Sequence, residues 1–328
     1  MIIARTPLRM SFAGGGSDMS AYYQEYGGAV VSTAIDKYVY VNVNKKFDDG
    51  IRIGYSKNEE VSETANIEHP IVKKTFEYLG LKGGIEITTI ADIPSSGTGL
   101  GSSSSFTVSL LHALYAYEGK HVSAEQLANE ASFIEIELCK EPIGKQDQYA
   151  AAYGGFNLIK FQPDNTVFVE PIITKKSTLK NIESRLLTFY TGKTRTASSI
   201  LKAQSLALKS DASKVKVMHQ MVEQTKYLVN ELTSNNADAL GHILHEGWLL
   251  KRSLVNGISD PDIDRWYELA MNAGAIGGKI MGAGAGGFLL IYAPEDKHKQ
   301  IQKALNMLKE IKIKFDPLGS RIIFYNQT

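Results

Sequence analysis

Between residues 94 and 105 the chain reads Pro-Ser-Ser-Gly-Thr-Gly-Leu-Gly-Ser-Ser-Ser-Ser, with Gly97, Gly99 and Gly101 at alternate positions and four serines after them. The stretch 84–93 before it has the composition of a strand. After it Phe106, Leu110, Leu111 and Leu114 recur at helical spacing until Gly119. A strand that turns through glycines into a helix points backbone N–H groups, and the positive end of the helix, into the turn. The glycines allow positive φ and close approach to the backbone, and the serines add hydroxyl donors and metal ligands. A phosphate chain is the natural occupant; one Ser and one Gly would make only a capped turn.

This is not a Walker A loop, because no Lys follows Gly101. The single Gly-Lys-Thr, beginning at Gly192, has Leu187 where that motif needs its first glycine. The His-Arg-Asp and Asp-Phe-Gly signatures of protein kinases are absent as well. The loop at 282–287, Gly-Ala-Gly-Ala-Gly-Gly, satisfies G-x-G-x-x-G, but a Rossmann loop opens a helix and Phe288 to Tyr292 reads as a strand. A hairpin-like loop that admits a ligand closely, with Lys279 just before it, fits better than a dinucleotide site.

The chain opens as a strand, with Ile2, Ala4, Thr6, Leu8 and Met10 alternating with Ile3, Arg5, Pro7, Arg9 and Ser11. It ends in Gly14-Gly15-Gly16-Ser17-Asp18, where consecutive glycines can form an anion-accepting concavity. Asp18 is either a hydroxyl acceptor at its edge or the cap of a short helix around Ser20. Farther on, Leu127, Ala131, Ile134 and Leu138 define a helix with Glu135 and Glu137 on opposite flanks of its apolar stripe, so only one can face the phosphate loop. Pro142 and Gly144 break that helix and put Asp147, between Gln146 and Gln148, on a new element. Asp147 is a proton acceptor for a sugar hydroxyl or one more cap. A Glu and a Ser suffice for Mg²⁺ when phosphates supply the other ligands. His242 and His245, beside Glu246, match no zinc-enzyme motif and read as an ordinary helical pair.

A chain of 328 residues favours about two domains, and the reading divides it at 1–180 and 181–328. In the second part a strand, several helices, a strand–loop–strand unit at 276–293, a helix and a last strand at 321–325 suggest a ferredoxin-like α+β arrangement. The net charge of +1 excludes a global field for nucleic acid, so an anionic ligand must be held by local charge. One cysteine, Cys139, excludes a disulfide framework and a cysteine zinc cage. The start, MIIARTPLRM, lacks the apolar run of a secretion signal, and no stretch has the roughly 18 to 20 apolar residues that span a bilayer. The expectation is a cytoplasmic protein whose partners are small molecules, not nucleic acid or membrane.

The three glycine loops, in this order and spacing, resemble those of the GHMP family of small-molecule kinases along nearly the whole chain. The resemblance implies an α+β protein of two domains, the first an α/β domain like that of ribosomal protein S5 and the second ferredoxin-like. It implies ATP and Mg²⁺, with Gly97, Thr98, Gly99, Leu100, Gly101, Ser102, Ser103 and Ser104 around the triphosphate. Ser103 and Glu135 become the metal ligands; Glu135 is preferred to Glu137 because it stands twelve residues before Asp147, as in galactokinases. Asp147 becomes the catalytic aspartate and Arg9 the cation that holds charge at the reacting centre. Asp18, Gly15, Gly16 and Gly284 are expected at the substrate. Where galactokinases have Gly-Glu-His-Thr-Asp-Tyr, this chain has Gly-Gly-Gly-Ser-Asp-Met, and the missing side chains imply room for a larger or more anionic acceptor. Within the family, RTPLRMSFAGGGSD, GKQDQYAAAYGGFN and KIMGAGAGGFLLIY are most similar to kinases that phosphorylate the anomeric hydroxyl of a heptose 7-phosphate. Arg195, Lys193, Lys251 and Arg252 are expected to hold that existing phosphate.

Overall fold

The computed structural model describes residues 1–94, 97–193 and 197–326. Its first sheet is built around two long antiparallel strands, β1 (Ile2–Ala13) and β2 (Gly28–Lys45), joined through the short helix α1 (Ser20–Tyr26). The Val, Thr and Tyr content of β2 suits a pleated surface, and its 18 residues carry two partners side by side. Its later half pairs with β5 (Ile85–Ala91), and its first half with β6 (Phe156–Phe161). The hairpin of β3 (Ile51–Gly54) and β4 (Asn58–Val61) adds beyond β5, with β3 parallel to it, and β7 (Val167–Pro171) extends from β6.

Against this sheet pack α3 (Ser102–Tyr117) and α5 (Gln146–Tyr153), with α4 (Ala124–Ser132) laid on both and α2 (Pro70–Leu79) beside α3. Helix α3 starts four residues before its apolar spacing shows, because its first turn is made of serines, of which Ser102, Ser104 and Ser105 are buried. Ser105 Oγ donates to Pro7 O at 2.8 Å and Ser109 Oγ to Ala4 O at 3.3 Å, lashing α3 to β1. Ser123 caps α4 by accepting from Gln126 N at 3.1 Å. The helix then runs into a π-helical segment, Phe133–Leu138, whose wider turn changes which residues face inward.

After α6 (Lys176–Ser184) the second sheet forms from β8 (Leu186–Tyr190), β9 (Gly277–Ile280), β10 (Phe288–Tyr292) and β11 (Lys309–Glu310). All its pairs are antiparallel and the order is β11-β8-β10-β9. The helices α7 (Ala197–Ser210), α8 (Ala212–Thr233), α9 (Ala239–Leu254) and α10 (Pro261–Asn272) lie between β8 and β9, and α11 (His298–Ala304) between β10 and β11. With each helical stretch counted as one crossover, this is the β-α-β-β-α-β order of a ferredoxin-like unit. The last strand, β12 (Arg321–Tyr325), departs from expectation: it does not close the second unit but pairs antiparallel with β1 at the edge of the first sheet. The two units also share packing, since the larger core continues from β1, β2 and α3 through Leu228, Leu240 and Leu244 to Phe288 and Leu290. Among the described residues no helix is long and apolar enough to cross a membrane.

Candidate active site

The cleft between the two units measures about 950 Å³ and is floored by the glycine–serine loop. Gly101, at φ +78°, is the residue before the first turn of α3, so the loop leads directly into the helix N-terminus. Gly99 meets the second glycine loop backbone to backbone: a Cβ there would stand 2.3 Å from Met281 O. Phe288 N donates to Thr98 O at 3.2 Å, which pins the same loop from the start of β10. The 282–287 loop is therefore a hairpin between β9 and β10 that buttresses the phosphate loop, and it opens no helix. Its Gly284 faces away, packed on Ile258, while Gly282 and Ala283 reach the cleft.

Asp147, in the first turn of α5, receives a two-pronged bond from the buried Arg9 of β1. Nε reaches Oδ1 and Nη2 reaches Oδ2, both at 2.7 Å, while Nη1 donates to Gly99 O at 2.6 Å. A planar guanidinium matches a carboxylate in this way and fixes its orientation. A Cβ on Gly101 would lie 3.3 Å from both Arg9 Cγ and Asp147 Oδ2, so the acid sits against the last glycine of the phosphate loop. Arg9 and Asp147 are thus brought together as the resemblance implied.

Asp18 does not cap α1, whose preceding residue is Met19 with no side-chain cap. Its Oδ1 accepts from Gly16 N at 2.9 Å and Gln146 Nε2 at 3.2 Å, and its Oδ2 accepts from Gln146 N at 3.1 Å. It ties the first glycine turn to the start of α5. Burial, and next the charge of Asp147, push its pKa up. The expected room in this turn is filled by the protein itself. A Cβ on Gly16, at φ +104°, would stand 2.2 Å from Gln204 Nε2 of α7, and one on Gly14 only 1.9 Å from Ala29 O. Gly15 has ordinary space, 3.5 Å from Ser11 Oγ.

Glu135 is 1% exposed and faces the serines, whereas Glu137 lies outside near Lys140. The π-helical segment makes this choice. Ser103 Oγ donates to Glu135 Oε1 at 2.9 Å and Gln148 Nε2 to Oε2 at 2.6 Å. Burial raises the Glu135 pKa to about 7, against the pull of those two hydrogen bonds. A hydroxyl and a buried, reluctantly charged carboxylate beside a phosphate loop form an oxygen donor set suited to Mg²⁺, which needs few protein ligands. Among the described residues no group of three or more His, Cys, Asp and Glu could hold a metal. His245 is instead bonded to Tyr267 OH at 2.6 Å, and His242 is exposed.

The expected basic cluster separates. Lys193 is held by Asp260 and Asp262 at 2.8 and 2.5 Å, and Arg252 pairs with Asp264 at 3.2 Å. Arg195 lies outside the described residues. Of the three described members, Lys251 alone lines the cleft, where it is buried and donates to Gly282 O. Burial and then the charge of Arg9 bring its pKa down to about 8. Lys279, also buried, spans the units by donating to Ser11 O at 3.0 Å, and burial with the charges of Lys251 and Arg9 holds its pKa well below the lysine range.

One end of the cleft escaped the sequence reading. Val39, Ile71, Ala91, Ile93 and Phe106 make an apolar wall, with His69 5.2 Å from the Phe106 ring and 4.8 Å from that of Tyr55. Burial lowers the His69 pKa, and its Nδ1 accepts from Val72 N at the start of α2. The five wall residues of this slot come from β2, α2, β5 and the loop after it, and α3, and share no local motif.

Comparison with known proteins agrees with this arrangement. The GHMP kinase N-terminal domain matches residues 66–155 and the GHMP kinase C-terminal domain residues 228–310. A D-glycero-alpha-D-manno-heptose 7-phosphate kinase of Campylobacter jejuni is 30% identical over 93% of either chain. A galactokinase of Pyrococcus furiosus is 25% identical, covering 96% of this chain and 94% of its own. The crystal structure of a D-glycero-D-manno-heptose 1-phosphate kinase from Bacteroides thetaiotaomicron shares the fold, with a TM-score of 0.83 at 24% identity over 100% of both chains. From the two matched domains and the relative that runs its length, the chain belongs to the GHMP kinase family, ATP-dependent phosphotransferases that act on an alcohol group.

Proposed function

We propose that the chain transfers the γ-phosphoryl of ATP to the anomeric hydroxyl of D-glycero-D-manno-heptose 7-phosphate, giving the 1,7-bisphosphate. For the chemistry, the observation that carries this is the Arg9–Asp147 fork held against Gly101. For the acceptor, support comes from the Campylobacter relative along 93% of its length. In this reading the purine enters the apolar slot beside Phe106, and the triphosphate lies along residues 97–104 under the α3 N-terminus. Asp147 accepts the hydroxyl proton as the new O–P bond forms and the bond to the ADP oxygen breaks. Arg9 fixes the carboxylate so that its free edge faces the cleft, and the Lys251 ammonium adds positive charge near the moving phosphoryl. Ser103 and Glu135 would hold Mg²⁺, which supplies charge neutralisation on the phosphates.

A free-sugar acceptor, of the fucose or galactose type, is the second reading. It is favoured by one observation: among the described residues of the expected basic cluster, Lys193 and Arg252 are spent on Asp260, Asp262 and Asp264. An ADP-release assay across free sugars, sugar phosphates and mevalonate separates the two. The proposal expects kcat/KM for the heptose 7-phosphate at least ~10-fold above every other acceptor, worth about 1.4 kcal/mol. A free hexose turned over as well, or better, would overturn it.

A further inference from the structure

Where α7 meets the first glycine turn, the cleft wall holds two amides with unspent hydrogen-bonding atoms. Gln204, midway along α7, is 1% exposed, and among the described residues its Nε2 has no partner. Gly16 is the residue that lets this amide sit where it does. Gln146, at the start of α5, gives both its backbone N–H and its Nε2 to Asp18, which sets the orientation of the amide and leaves Oε1 buried and unpartnered. Both glutamines line the cleft beside Asp18 and Gly16. Folded proteins leave few buried polar atoms unpaired, because an amide stripped of water and given no acceptor is expensive. Leu or Met would fill the same volume without that cost. A brace between α7 and the turn would also spend its donor on the turn, and this donor is unspent.

We infer that Gln204 determines acceptor specificity, its Nε2 donating to one hydroxyl of the bound sugar while Gln146 Oε1 accepts from a neighbouring one. A hydroxyl group both donates and accepts, so a vicinal diol matches one free donor and one free acceptor lining the same cleft. The two amides carry no charge, and they read the ring hydroxyls of the acceptor, not a phosphate. The inference rests on the proposed sugar acceptor and deepens it by naming what recognises the ring.

The test uses the full-length enzyme, Gln204→Met and Gln204→Glu, with the best acceptor from the panel and its mono-deoxy analogues. Removal of the donor should raise the acceptor KM by ~10- to 100-fold and leave the ATP KM within about 2-fold. One deoxy analogue should lose a similar factor in kcat/KM with the unsubstituted enzyme and lose nothing more with Gln204→Met. An unchanged acceptor KM in both variants, or deoxy penalties identical in all three enzymes, overturns the inference while the kinase activity stands. Collapse of both variants would mark the amide as a structural brace and overturn it too. Absence of turnover with every sugar removes the proposed function and this assignment together, so the two failures are distinguishable.

Discussion

Arg9 and Asp147 are 138 positions apart in sequence, yet all three guanidinium nitrogens of Arg9 are committed to Asp147 and Gly99. A carboxylate held this firmly has one geometry to offer a hydroxyl. Asp147→Asn keeps the shape and removes the proton acceptor, so kcat should fall at least ~10²-fold while ATP binding, read by calorimetry, persists. Near-normal turnover would take Asp147 out of the chemistry. Lys251 makes a pH prediction. Its folded pKa of about 8 lies below the ordinary 10.5, so between those values the unfolded chain holds the proton and the folded one does not. Burial of Lys251 therefore costs stability below about pH 8, and the cost is relieved as pH rises from 8 toward 10.5. Activity should move the opposite way, because in the proposed mechanism it is the ammonium that adds positive charge near the phosphoryl. The kcat/KM profile should show a falling limb near pH 8, and Lys251→Met should lack that limb and sit at a lower plateau. A limb that survives in the variant would belong to another group.

At the level of elements, α3 carries the phosphate loop because a left-handed glycine turns the chain into its first residue. A side chain at Gly101 would strain φ +78° and press on Arg9 and Asp147. Gly101→Ala should cost ~1–2 kcal/mol in denaturant unfolding. It should also lower kcat far more than that stability loss alone accounts for; a stability loss with kcat intact would separate the loop's last glycine from the acid. The glycine–serine loop leading into α3, the new element that carries Asp147 and the limits of β12 were legible because each is written locally, in glycine spacing, a helix break or a short apolar run. The partner of β12 was not, since pairing is decided by what lies across the sheet. The inward turn of Glu135 depends on a π-helical segment that no apolar stripe announces, and twelve-residue spacing selected it only by resemblance. Helix α3 hid its beginning because Ser105 and Ser109 look like surface residues and are in fact bonded to β1. Gln204 and the apolar slot had no local signature; they are assembled from separate elements.

Across the whole molecule, the tail after β11 decides whether the two units act as one. Ile311 N still bonds to Thr188 O on the second sheet, and a few residues later Asp316 N bonds to Ala34 O and Asp316 O accepts from Gly155 N on the first. The buried Asp316 carboxylate accepts from Tyr38 OH at 2.6 Å and from Leu318 N at 2.9 Å, just before β12 pairs with β1. Together with the Lys279–Ser11 bond, in which β9 reaches the strand that carries Arg9, this strap joins the two sheets at a second place. Asp316→Ala leaves Tyr38 without its acceptor and Leu318 N–H without its carboxylate, each a charge-assisted bond lost in a partly buried place. The expected cost is ~1–3 kcal/mol of stability. Asp316 does not reach the cleft, so at temperatures where the variant is folded its KM values for ATP and acceptor should match those of the unsubstituted enzyme. Hydrogen exchange should show the loss concentrated in β12 and the adjoining part of β1, with the glycine–serine loop protected as before. If exchange instead rises first in that loop, or the acceptor KM climbs while the melting temperature holds, the strap governs closure of the cleft and not the cohesion of the two sheets.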